Sequence, residues 1–76
     1  MTKDQAYYDD IERLLRESLR QVEVHISDSD RRDVTEYLDF GEYGVAYELL
    51  TFVLDKGRIE RPDSLSEAGQ KMGMKD

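Results

Sequence analysis

The sequence predicts an all-α fold, a small bundle of about four helices with short connections, in a single domain spanning residues 1–76. Three observations carry this. Apolar residues recur at helical spacing along most of the chain. A run of N-capping residues, Ser27-Asp28-Ser29-Asp30, separates the first helical pattern from the second. Gly41, Gly57, Gly73 and Pro62 fall where helices should stop.

The first helix is expected over residues 4–24. Tyr7, Tyr8, Ile11, Leu14, Leu15, Leu19 and Val22 share one face of a helical wheel, a core-facing stripe. Asp9–Arg13 and Glu12–Arg16 sit at i,i+4 on the opposite side, the pattern of a solvated face. Asp4 and Gln5 suit the first turn. The second helix is expected over 30–40, with Val34, Tyr37 and Leu38 inward, Asp30 and Asp33 complementing its dipole, and Gly41 as its stop. Phe40 points outward if that helix runs through it and turns into the core if the helix ends one residue earlier; the core is favoured.

The third helix is expected over 42–56, with Gly57 as the residue after its end. Its apolar arc is wide: Val45, Ala46, Leu49, Leu50, Phe52 and Val53 at the centre, Tyr43, Tyr47 and Leu54 on one flank. Gly44, Glu48, Thr51 and Asp55 leave only a narrow polar stripe, which predicts a central position in the bundle. After the link Arg58-Ile59-Glu60-Arg61-Pro62, a short helix is expected over 64–73, capped by Ser64 or Ser66 and carrying Leu65, Ala68 and Met72. The tail Met74-Lys75-Asp76 is expected to fray.

The chemistry on offer is narrow. No Cys is present, so no disulfide, thiolate metal site or Cys nucleophile exists, and no phosphate-binding Gly loop or nucleophile elbow is found. The lone histidine, His25, reads as a loop or surface residue. Counted from Asp28, the sixth and twelfth positions of a calcium loop hold Asp33 and Asp39 where Gly and Glu are needed, so no metal site is expected. No catalytic residue and no cofactor is expected. The opening Met1-Thr2-Lys3-Asp4-Gln5 lacks an apolar signal region, and the apolar run near Leu49–Leu54 is too short to span a bilayer, so a cytoplasmic protein is expected.

A net charge of −7 disfavours nucleic acid and anionic membranes as partners. The charge is concentrated. Residues 1–26 hold six acids and four bases; residues 27–48 hold seven acids and two bases; residues 49–76 hold five of each. Such a negative field attracts a cationic protein surface and speeds encounter. Asp33, Glu36, Asp39, Glu42 and Glu48 are the candidate acids for that contact. Tyr43 and Tyr47, one turn apart, are the candidate aromatic contacts. A monomer is favoured.

One stretch resembles a known family. Tyr37-Leu38-Asp39-Phe40-Gly41-Glu42-Tyr43-Gly44-Val45-Ala46-Tyr47-Glu48-Leu49-Leu50 is similar to the signature segment of small Maf-type immunity proteins of bacterial polymorphic-toxin and contact-dependent inhibition systems, in which a helix ends and a Glu-Tyr-Gly-apolar-Ala segment opens the next. Glu67-Ala68-Gly69-Gln70-Lys71-Met72-Gly73 resembles that family's last helix, and the two matches cover about a third of the chain. The resemblance implies an immunity protein that neutralises the C-terminal domain of a cognate toxin, often a nuclease, whose cationic cleft an acidic helical face would suit. It fixes no functional residue; in this reading Gly44 serves close helix approach and Tyr43 packs. The alternative is a small structural or regulatory adaptor subunit acting by protein–protein interaction.

Overall fold

The computed structural model describes residues 3–74. They form helix α1 (Lys3–Val22), a single 3-10 turn (Glu23–His25), α2 (Asp28–Asp39), α3 (Tyr43–Lys56) and α4 (Asp63–Lys71), with no strand among the described residues. The fold is the expected small all-α bundle. It is arranged in two layers, α1 against α4 and α2 against α3, with α1 reaching across both helices of the second layer. The extents of 37 × 22 × 17 Å suit two helix layers and no third.

The core lies between the layers. Ile11, Leu14, Leu15, Leu19 and Val22 of α1 meet Val34 and Leu38 of α2, Ala46, Tyr47, Leu50 and Leu54 of α3, and Leu65 and Ala68 of α4. Burial of each large side chain contributes about 2 kcal/mol of transfer free energy. The α1 stripe falls as expected except at its start, where Tyr7 and Tyr8 are 42% and 50% exposed and not core residues. Tyr7 is used differently: its hydroxyl donates to the Lys71 carbonyl oxygen at 2.6 Å, satisfying an end carbonyl of α4 and tying it to α1.

The cap chemistry is partly as read. Ser27 is the N-cap of α2, its hydroxyl accepting from the Asp30 N–H at 3.0 Å. Gly41 ends α2 in the left-handed region, φ +75°, with Glu42 N–H donating to Tyr37 O and Gly41 N–H to Leu38 O. The same double closure ends α3, but one residue later than Gly57: Gly57 keeps φ −84°, and Arg58 takes the left-handed φ of 55° while Ile59 N–H reaches Leu54 O. A Cβ in this region costs on the order of 1 kcal/mol. Arg58→Gly is therefore expected to raise the melting temperature by about 5 °C, since about 1 kcal/mol moves a domain of this size by that much; thermal unfolding followed by circular dichroism measures it, and an unchanged midpoint would show the turn unstrained.

The start of α4 departs from expectation. Its N-cap is Pro62, not Ser64 or Ser66. Ser64 instead lies buried against Ser18, with the two hydroxyl oxygens 2.7 Å apart. Ser18 donates its proton to the Leu14 carbonyl at 2.7 Å, so Ser64 must be the donor between the two. Met74 packs against the core and does not fray; the expectation for Lys75 and Asp76, and that for the Asp4 side chain, lie outside the described residues. Gly44 is not the site of close helix approach: a Cβ there would meet only the Met74 methyl at 3.6 Å. That role belongs to Gly69, buried in α4, over which the Tyr47 ring lies so closely that a Cβ would stand 2.6–2.9 Å from its outer atoms. Among the described residues no helix is long and apolar enough to cross a membrane.

Candidate partner-binding groove

The wide apolar arc of α3 does not place that helix at the centre on every side. Ala46, Tyr47, Leu50, Val53 and Leu54 are buried. Val45 is 44% and Phe52 63% exposed, and Leu49 only half-buried. These three recur at i, i+4, i+7 and make a second apolar stripe on the outer side of the α2–α3 layer. On α2, Asp33, Glu36 and Tyr37 face the same side. Between them runs an open groove of about 550 Å³ lined by Asp33, Glu36, Tyr37, Val45, Glu48 and Leu49. Tyr37, Val45 and Leu49 form an apolar floor. Carboxylates stand on both walls, Asp33 and Glu36 on α2 and Glu48 on α3, and no cation is among the described lining residues.

Phe40 stands at the C-terminal end of α2, 74% exposed. The helix does end at Asp39, yet Phe40 does not turn into the core. It keeps a near-helical backbone (φ −88°, ψ 2°), and its N–H still bonds Glu36 O, so the side chain stays in helical phase with Asp33 and Glu36. The chain changes direction only at Gly41.

Of the seven residues expected at the interface, the fold brings Asp33, Glu36 and Glu48 together. Asp39 and Tyr43 point to the other side of the layer. Asp39 Oδ1 accepts from Arg16 Nη2 at 2.9 Å, Arg16 Nε donates to Glu12 Oε2 at 2.8 Å, and the Tyr43 hydroxyl donates to Glu12 Oε1 at 3.0 Å. This chain braces the end of α2 and the start of α3 against α1. It holds the Arg16 guanidinium above its usual pKa, chiefly through the Asp39 and then the Glu12 hydrogen bond. The Tyr43 phenol is raised by burial first and by the Glu12 carboxylate second. On the far end of α3, hydrogen bonding to Arg61 holds Asp55 below the usual carboxylate range. Glu42 is exposed outside the groove, beside a second depression of about 470 Å³ that also involves Tyr7, Tyr8, Tyr43, Met72 and Met74. Tyr47 corrects its expectation outright: at 4% exposure it presents no surface to a partner.

Sequence reasoning missed the groove floor. The available signal was the width of the α3 arc, too broad for one helix to bury against a single layer, with Glu48 at its edge. No group of three or more His, Cys, Asp or Glu side chains among the described residues is placed to hold a metal ion. What the groove can do chemically is bind: it offers apolar contact flanked by negative charge. Comparison with known protein families, curated proteins and solved structures gives no match to this chain, so its activity is read from this geometry.

Proposed function

We propose that the chain is an immunity protein of the cytoplasm that binds the C-terminal domain of a cognate toxin, a nuclease domain for choice, and neutralises it by covering a cationic surface with the α2–α3 face. One observation carries the reading: an apolar groove walled on both sides by carboxylates, with Phe40 exposed just past the end of α2 and Phe52 exposed on α3. Adjoining exposed and half-buried apolar side chains, such as Val45, Leu49 and Phe52 along α3, mark interaction surfaces, whereas a lone exposed ring does not. The segment whose residues resemble the immunity family, 37–50, supplies Tyr37, Val45, Glu48 and Leu49 of the groove, so the resemblance and the geometry fall on the same residues. An enzyme that handles a polyanion presents a cationic cleft, and a negative face competes for it.

A second reading, a small adaptor subunit, is favoured by the depression lined by Tyr8, Tyr43, Met72 and Met74, since Met and aromatic side chains suit adaptable contacts. The two readings part in one experiment. Co-expressed with the product of the adjacent upstream gene, the chain is expected to co-purify with it in stoichiometric amount and to restore growth of cells expressing it. A chain that neither binds that product nor protects those cells is not an immunity protein, and a stable homo-oligomer by light scattering would then support the adaptor.

A further inference from the structure

We propose that the α2–α3 groove receives a single amphipathic helix of the partner, one with a narrow apolar stripe and Lys or Arg along both edges of it. This rests on the reading of that face as the partner-binding one and names the chemistry of what occupies it.

Three features select this occupant. The first is shape. The floor is set by Tyr37 of α2 and by Val45 and Leu49, one turn apart on α3, and exposed Phe52 continues the α3 row past the groove at i+7. A row of side chains at this spacing suits the ridge of a third helix, and α1 already lies across the inner side of the same two helices. The second is charge placement. Asp33 and Glu36 stand on one wall and Glu48 on the other. An occupant with cations on one edge only would leave a wall unpaired, whereas a helix with its stripe bounded on both edges meets both. The third is exclusion of a second copy. The groove carries three carboxylates and no cation among the described lining residues, so pairing it with itself would oppose like charges across a partly desolvated contact. An extended strand fits less well, because neither helix offers backbone donors or acceptors along the groove for it to pair with.

The test uses the full 76-residue chain and a synthetic peptide of about fifteen residues, four helical turns. Its Leu residues are spaced i, i+3, i+4, i+7 and Lys flanks the stripe on both edges. A scrambled peptide of the same composition, and one with Glu for Lys, are the comparisons. The striped Lys peptide is expected to bind at least ~10-fold more tightly than the scrambled one and to move the NMR signals of Val45, Leu49 and Phe52. Glu48→Lys, at an exposed site where folding is not at stake, is expected to weaken it about tenfold. Equal binding of the striped and scrambled peptides would overturn the proposal by showing charge alone at work, and shifts centred on Tyr8 and Met72 would overturn it by placing the contact elsewhere. Failure here is distinct from failure of the immunity reading. If the toxin domain is captured and α2–α3 amides are protected from exchange while the striped peptide has no advantage, the helical mode falls and the function stands. If the peptide seats in the groove but no toxin is captured, the groove chemistry stands and the function falls.

Discussion

Gly69→Ala is expected to lower the melting temperature by about 10 °C, a loss of about 2 kcal/mol in a domain this small. The added methyl would stand 2.6 Å from the Tyr47 hydroxyl oxygen, 2.8 Å from Cζ and 2.9 Å from Cε2. The ring cannot swing clear, because Tyr47 is buried on all sides. Forcing extra volume into such a core costs up to about 3 kcal/mol. Ala is the better helix former by about 1 kcal/mol, which offsets part of this and sets the net figure. The helix at risk is α4, only nine residues long, too short to persist without its packing. The cause can be isolated by repeating the exchange in a Tyr47→Leu background, where the ring is gone and Ala should be neutral or stabilising. A loss of the same size in both backgrounds would show that the Tyr47 contact is not responsible.

The second large effect concerns binding. Replacing Asp33, Glu36 and Glu48 together by Lys is expected to slow association with the proposed toxin partner about 100-fold at low salt and to flatten its dependence on ionic strength. All three side chains are exposed, so stability should stay within about 0.5 kcal/mol per site. The comparison is an equal reversal at Glu23, Glu60 and Glu67, which are exposed and outside the groove. If steering is local, only the groove triple slows association strongly. Equal slowing by both triples would reduce the acidic groove to a share of the overall charge, and unchanged kinetics in the groove triple would move the interface to another face.

The helices were legible because their signals are local. The stripe of α1, the capping run at Ser27 and the stop at Gly41 each depend on a few neighbouring residues, and each stands where it was expected apart from Tyr7 and Tyr8 at the start of the stripe. Arg58 shows where such signals stop. The backbone closure after α3 requires a left-handed residue one position beyond Gly57, and nothing in an Arg announces it. Ser64 is a good capping residue by type, but its burial opposite Ser18 depends on how α1 and α4 meet. The candidate site divides in the same way. The excess of acid over residues 27–48 was readable as a sum, and the spacing of Asp33 and Glu36 put them on one side of a helix. Whether Asp39 joined them depended on Arg16, twenty-three positions earlier in the chain, and Tyr43 likewise on Glu12. Val45 and Phe52 were recognisably apolar, but a sequence does not state how many sides of a helix have neighbours.

The brace formed by Asp39, Arg16, Glu12 and Tyr43 has a consequence for how the groove can change. It grips the α2–α3 turn from both ends and does so on the side facing α1, away from the groove. The entropy of fixing that turn is therefore settled at folding and does not weigh on association, so the groove meets its partner already shaped. Because bracing and contact lie on opposite sides of the same two helices, the groove residues are free to vary without loosening the frame that presents them. One scaffold can then be matched to partners of differing surface by substitutions at a few outward positions of α2 and α3, with its angle and width held constant from behind.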